Sequence, residues 1–240
     1  MTFSGRVILV TGASRGIGRA AAIDLATRGA HVLAVARTME SLEELDDEIQ
    51  GSDEVRRAGG AATLVPLDLT DFAGIGRLPT AIMDRWGKLD GLFGNAGILG
   101  PLTPLTHLQP RAWDDLIAIN LSANWYLLRA LDPLLRKSDA GRVLLVSSGA
   151  AHFNRPYWGG YAITKAALEV LAFTYAAESS GTKIKTNVLN PGPTRTHMRA
   201  QAFPGEDPAT LPPPEELVPL IAELLSQECD RNGELVNFRR

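Results

Sequence analysis

Short apolar runs alternate along the chain with longer stretches in which apolar and polar positions mix. The runs cover residues 7–10, 32–35, 62–65, 89–93, 143–146 and 186–189, with 235–238 a weaker seventh. Their apolar residues are continuous rather than alternating, which indicates strands buried on both faces. The intervening stretches of helical length are 17–28, 39–58, 75–86, 111–136, 162–179 and 214–226. Strand and helix in alternation predict a mostly parallel sheet covered by helices on both sides. One segment breaks the rhythm: residues 203–214 hold five prolines and a glycine. It reads as a loop, either a plain surface linker or part of a substrate lid around 193–214. A long connection late in an α/β chain favours the lid.

Composition narrows the function classes. The 240 residues suit one large domain, 1–240, and 45% hydrophobic with 21% charged residues is an ordinary globular balance. A net charge of −3 with scattered Lys and Arg gives no reason to expect nucleic acid. No apolar run approaches the roughly 20 residues of a membrane span, and residues 1–5 lead straight into the first strand with no secretory leader. Cys229 is the only cysteine, so no internal disulfide can form, which fits a reducing, cytoplasmic location. His31, His107, His152 and His197 are scattered without metal-ligand spacing, so no metal is expected.

The first strand runs into Thr11-Gly12-Ala13-Ser14-Arg15-Gly16-Ile17-Gly18 and then a helix. Glycines at 12, 16 and 18 permit tight backbone angles, close approach to a pyrophosphate, and close packing of helix on strand. The helix start offers free N–H groups to phosphate. The spacing is G-x-x-x-G-x-G rather than G-x-G-x-x-G, but the strand–turn–helix context marks a dinucleotide site. At the end of the second strand an acidic residue would hold the ribose of NAD, whereas Arg accommodates the extra phosphate of NADP. Here Ala36-Arg37 stands, and Arg15 in the turn can reach the same place. Two guanidinium forks suit a phosphate, so NADP(H) is preferred and NAD(H) stays open.

Tyr161 and Lys165 are four residues apart and so share a helix face. A positive charge beside a phenol favours phenolate and is expected to lower its pKa. Such a tyrosine can donate a proton to a carbonyl oxygen or take one from an alcohol. Ser147-Ser148 closes the fifth strand and Asn95-Ala96-Gly97 follows the fourth. Both therefore lie at the carboxyl edge of the sheet, where ligands of open α/β sheets bind.

These motifs, in this order, resemble the classical short-chain dehydrogenase/reductase family over essentially the whole chain. Residues 11–18 match its T-G-x-x-x-G-x-G turn, and Asn95-Ala96-Gly97 its N-A-G motif, with Gly94 where the family often has Asn. Ser148 stands thirteen residues before Tyr161, at the family spacing, and Tyr161 with Lys165 matches Y-x-x-x-K. The resemblance implies a Rossmann-type doubly wound α/β fold, with a mainly parallel sheet of about seven strands flanked by helices. It implies that Tyr161 is the general acid or base, and that Lys165 lowers its pKa and binds the nicotinamide ribose. Ser148 would orient the substrate oxygen, and Asn120 would hold a water linking Lys165 to solvent. For the cofactor it implies Gly12, Ser14, Arg15, Gly16, Ile17 and Gly18 at the phosphates, and Asp68 and Leu69 at adenine. Asn95, Ala96 and Gly97 would border it, and Pro191, Gly192, Thr194 and Thr196 would flank nicotinamide. A homodimer or homotetramer through helices 111–136 and 162–179 is expected. Chains of this family often run slightly longer, so the Phe238-Arg239-Arg240 end is expected to alter C-terminal contacts.

The resulting expectation is an NADP(H)-dependent oxidoreductase moving a hydride between nicotinamide and a small carbonyl or alcohol substrate. The alternative is a non-catalytic dinucleotide-binding sensor or scaffold, since fold alone never excludes that. The intact set Asn120, Ser148, Tyr161 and Lys165 argues for the enzyme. Lyase or epimerase chemistry is a third reading, disfavoured by the lack of an evident added substrate domain. The segment His152-Phe153-Asn154-Arg155, with Tyr157 and Trp158, either supplies aromatic walls and a cation to the substrate or packs on its neighbours. Trp86, Trp113 and Trp125 are read as packing residues.

Overall fold

A computed structural model describes residues 1–238; the expectation about Arg239 and Arg240 lies outside the described residues. The first half runs β1 (Val7–Thr11), α1 (Gly16–Thr27), β2 (His31–Ala36), α2 (Met39–Gly51), α3 (Asp53–Ala58), β3 (Ala61–Pro66), α4 (Phe72–Trp86) and β4 (Gly91–Gly94). The second half runs α5 (Pro110–Leu116), α6 (Ala123–Leu135), β5 (Arg142–Val146), α7 (Gly159–Glu178), β6 (Lys185–Asn190), α8 (His197–Ala202), α9 (Val218–Leu225) and β7 (Leu235–Asn237). The strands form one sheet in the order β3-β2-β1-β4-β5-β6-β7. Every described pairing is parallel, so "mainly parallel" understated it.

The continuous apolar runs do bury both faces of the sheet. In β1, Ile8 and Val10 enter one core with α1, α2 and α9, while Val7 and Leu9 enter the other with α4, α6 and α7. In β5, Leu144 and Val146 take the first side, and Val143 and Leu145 the second. Each fully buried aliphatic side chain contributes about 1.5–3 kcal/mol of transfer free energy. A polar or charged residue at Leu9 or Leu144, both 0% exposed, would therefore remove a core contact and leave an unpaired group.

Three expected helices differ. The stretch 39–58 is two helices, because the Ser52 hydroxyl accepts from Val55 N (3.3 Å) and starts α3 afresh. Thr38 occupies the cap position of α2 but makes no side-chain capping bond. The stretch 111–136 is interrupted by a π-helical turn, Ile117–Ser122, which carries Asn120; such turns are frequent at functional sites. The stretch 214–226 begins as a 3-10 turn, Pro214–Leu217, before α9. Within the expected lid, α8 is a helix that the sequence pattern did not reveal.

The strand order reverses between β1 and β4, so the crevice of this fold opens at their carboxyl ends. No helix among the described residues is long and apolar enough to cross a membrane.

Candidate active site

The glycine turn forms the floor of that crevice. Gly12 and Gly16 have φ of +66° and +56°, backbone that favours glycine. At Gly18 the constraint is space: a Cβ there would lie 2.3 Å from the Gly12 carbonyl oxygen. Asn95 braces the turn from β4, its amide donating to the Thr11 carbonyl (3.0 Å) and more weakly to that of Gly12 (3.4 Å). The Thr11 hydroxyl accepts from Asn95 N (3.0 Å) and Ala96 N (3.1 Å). Arg15 sits at the N-cap of α1 without a side-chain capping bond, and the first turn has no acidic residue. The N–H groups of that turn are thus left to an external acceptor.

Arg15 and Arg37 are both exposed and line the same cleft. Asp68, after β3, accepts from the Thr70 N–H and hydroxyl (both 2.8 Å). Those bonds hold its carboxyl below the usual range, with the Arg37 charge adding to the effect.

The third set of groups stands on β5 and α7. Tyr161 and Lys165, 7% and 3% exposed, share the buried face of α7. Ser148 lines the cleft beside the Tyr161 phenol and accepts from Ala150 N (3.2 Å). Lys165 Nζ donates to the Val146 carbonyl (2.7 Å) and lies 5.7 Å from the Tyr161 ring centre. Burial lowers the Lys165 pKa to about 8, against the pull of Glu169. Burial likewise raises the Tyr161 pKa, with the Ser148 hydroxyl opposing. The expected lowering of the phenol by Lys165 does not emerge in the protein alone, where desolvation sets the direction.

Asn120 is fully buried behind these groups. Its amide nitrogen donates to the Ile98 carbonyl (2.9 Å) and the Thr164 hydroxyl (3.0 Å), and its oxygen accepts from Ile98 N (2.8 Å). Gly97 is packed against it: a Cβ there would lie 3.2 Å from Asn120 Oδ1 and 3.4 Å from Lys165 Nζ. Gly94 has no room for the asparagine common in the family. Its Cβ would lie 2.5 Å from Leu145 Cδ2 and 2.6 Å from Asn124 Oδ1.

After β6, Gly192 turns with φ +65°, and the Thr194 hydroxyl donates to the Pro191 carbonyl (3.2 Å). Thr196 caps α8 by accepting from Arg199 N (3.2 Å). Its methyl lies over the glycine turn, 3.5 Å from where a Gly16 Cβ would be. Beyond it the chain folds on itself. Arg199 forks onto Glu206 (2.6 Å twice) and stacks 3.8 Å from the Phe203 ring centre.

These elements enclose a cleft of about 930 Å³. The expected site residues line it except Gly18 and Asn120, which support the lining from behind. Of the segment 152–158, Trp158 lines the cleft among the described residues, 6.2 Å from the Tyr161 ring and 5.6 Å from that of Phe203. Phe153 and Tyr157 are exposed, and Arg155 lies over Phe153. Of the two readings of this segment, Trp158 fits the aromatic wall, while neither His152 nor Arg155 lines the cleft.

Sequence reasoning missed Glu169. It is buried one turn beyond Lys165, accepts a short hydrogen bond from the Ser147 hydroxyl, and pairs with His152 Nε2 (3.1 Å). A carboxylate four residues after Lys165, at the spacing that separates Tyr161 from Lys165, was the available signal.

The family model described as short chain dehydrogenase matches residues 6–207. The uncharacterized oxidoreductase YciK of Escherichia coli (strain K12) is 39% identical over 226 residues, covering 94% of this chain and 88% of that one. The crystal structure of a short chain dehydrogenase from Salmonella enterica serovar Typhi superposes with a TM-score of 0.92 at 36% identity, over 98% and 96% of the two chains. A Shigella flexneri 2a protein described as a short chain dehydrogenase was solved with NADP. It gives a TM-score of 0.90 at 37% identity, over 98% and 97%. With this match and the convergence of its ordered motifs on one cleft, the chain belongs to the short-chain dehydrogenase family, as an oxidoreductase of the classical type.

Proposed function

We propose that the protein is an NADP(H)-dependent oxidoreductase acting on a carbonyl/alcohol pair. The observation that carries this reading is the convergence of Ser148, Tyr161 and Lys165 at one cleft whose other lining includes the glycine turn, Arg15 and Arg37. The turn fits a pyrophosphate: Cβ atoms at Gly12 and Gly18 would meet Asn95 and backbone, Gly16 turns at φ +56°, and α1 leaves its first N–H groups open. Arg15 and Arg37 would hold the adenosine phosphate by charge-assisted forks, and Asp68 and Leu69 would border the adenine. Lys165 would bind the nicotinamide ribose, while Pro191, Gly192, Thr194 and Thr196 would flank the ring. The neighbour solved with NADP supports the choice of cofactor.

Bound there, the nicotinamide would supply or accept the hydride. The protein's part is binding, orientation and the proton. The raised pKa of Tyr161 keeps its phenol protonated at neutral pH, ready to donate to a developing alkoxide. Ser148, beside Tyr161 in the cleft lining, would offer its hydroxyl to the substrate oxygen. Asn120 fixes the loop after β4 against α7, and a water relay from Lys165 would pass beside it. We place residues 193–214 as the lid of this site; their first part, through α8, already lines the cleft. We also expect self-association through α6 and α7, which expose Trp125, Ile163 and Val170. The single cysteine, Cys229, is buried and free, as suits a cytoplasmic protein.

The test is NADPH oxidation across a panel of aldehydes and ketones, with Tyr161→Phe as the control. Loss of a general acid costs about 10²–10⁴-fold in kcat/KM, while NADPH binding should be nearly unchanged. A Tyr161→Phe protein with normal rates would overturn the assignment.

A further inference from the structure

Two consecutive residues at the end of β5 are held by the same face of α7, and the third stands beside it. The Val146 carbonyl accepts from Lys165 Nζ (2.7 Å) and the Ser147 hydroxyl donates to Glu169, while Ser148 lines the cleft together with Tyr161. Positions 161, 165 and 169 follow one another by helical turns, so the three side chains form one column. The first two are the proposed proton-transfer pair. The third is a carboxylate only 6% exposed, and a buried charge is retained only where it is paired. Its partners are Ser147 and His152 (3.1 Å), and the Lys165 ammonium stands one helical turn back, where the carboxylate favours its charged form.

We propose that Glu169 is a positioning residue of the active site, holding Ser147 and facing Lys165 so that Ser148 and the ammonium stay fixed around Tyr161. The proposal rests on the reading of Tyr161 and Lys165 given above. Its physical content is twofold. The Ser147–Glu169 bond pins the backbone that carries Ser148. The carboxylate also opposes the desolvation that drives Lys165 towards its neutral form, because an opposite charge nearby favours the charged state. The other titratable groups facing this column are Tyr161, on the same helix, and His152, on the 3-10 turn Gly149–His152 after β5. From the π turn comes the neutral Asn120, and from β5 come only the Val146 carbonyl and the two serine hydroxyls. His152 is half-exposed and so joins the buried carboxylate to solvent.

Glu169→Gln removes the charge while leaving an oxygen to accept from Ser147, so it separates electrostatics from scaffolding. The chain has five lysines, few enough to titrate individually by ¹³C-lysine NMR of the cofactor-free protein, with Lys165 assigned through its loss in Lys165→Met. Lys165 is expected to titrate about one pH unit lower in Glu169→Gln than in the wild type, the other lysines staying put. Glu169→Asp, which keeps the charge, should restore most of the difference. If the Gln protein does not fold, Glu169→Met, of similar length and without charge, should shift Lys165 in the same direction. A Lys165 titration within about 0.3 units of wild type in the charge-free variant would overturn the proposal. This readout needs no turnover, so it decides the Glu169 role even if no carbonyl compound is reduced. Where activity is found, the alkaline limb of kcat/KM should move to lower pH in Glu169→Gln, and a fixed limb would count against the proposal.

Discussion

Replacing one glycine in each of two helices by alanine should change stability with opposite signs. In α1, a Cβ on Gly18 would lie 2.3 Å from the Gly12 carbonyl oxygen and 2.5 Å from Asn95 Nδ2. Ordinary contact begins near 3.4 Å, so turn and helix must separate by about 1 Å. The obstructing atom is backbone and cannot rotate away. Overpacking of this kind costs about 1–3 kcal/mol, whereas glycine to alanine inside a helix gains about 1 kcal/mol. The clash wins, for a net loss of about 1 kcal/mol and a Tm lower by about 2–4 °C at this chain length. In α4, a Cβ on the exposed Gly76 meets nothing within 4 Å, so only the helix-propensity gain remains. Gly76→Ala should raise Tm by about 2–4 °C. Because the shift in Gly18→Ala displaces the N–H groups that face the cleft, NADPH should also bind at least about tenfold more weakly, or 1.4 kcal/mol. Thermal melts and calorimetric titration of both variants read these quantities. A Gly18→Ala protein melting at or above wild type, with NADPH affinity within about twofold, would refute the steric reasoning and the placement of the phosphate.

Other expectations are as direct. Arg37→Asp should weaken NADPH about 10–100-fold, from the roughly 1.5–3 kcal/mol of a hydrogen bond to a charged group, and NADH far less; equal losses would show that Arg37 does not read the phosphate. Gly94→Ala should cost about 1–3 kcal/mol by pressing on Leu145 and Asn124, and Asn124→Ala in the same chain should recover part of it in a double-mutant cycle. Stability should depend on pH through Lys165. Its folded pKa of about 8 lies below the 10.5 of a free lysine, so between those values the unfolded chain binds more protons and stability rises with pH. Urea melts from pH 8 to 10 should show this rise in wild type and a flatter profile in Lys165→Met, whereas identical profiles would mean that Lys165 is not desolvated. Above pH 10 the raised Tyr161 opposes it, since the folded phenol then keeps its proton longer than the unfolded one.

The seven strands were legible because β1, β2 and β5 are apolar at consecutive positions, a pattern imposed by burial on both faces. The glycine turn and the Ser148, Tyr161 and Lys165 set were legible because backbone space and helical spacing fix their residue types. Three features were not. The π turn at Ile117–Ser122 keeps a helical composition on either side, so periodicity alone reads 111–136 as one helix. Helix α8 is short and follows Thr194 and Thr196, which signal a turn as readily as a cap. The sign of the Tyr161 shift depends on how deeply the phenol is buried, which spacing to Lys165 does not report. Glu169 escaped notice for a related reason: its partners Ser147 and His152 are 22 and 17 residues away in sequence, and only the packing of α7 on β5 brings them together.

The central claim is that this cleft binds a nicotinamide dinucleotide and reads its phosphate with Arg15 and Arg37. Paired calorimetric titrations of NADPH and NADH into the purified protein test it most directly. The account predicts NADPH binding at least about tenfold tighter than NADH, a difference of 1.4 kcal/mol or more. Equal affinity or a preference for NADH would contradict the arginine reading, and no binding of either would contradict the claim itself.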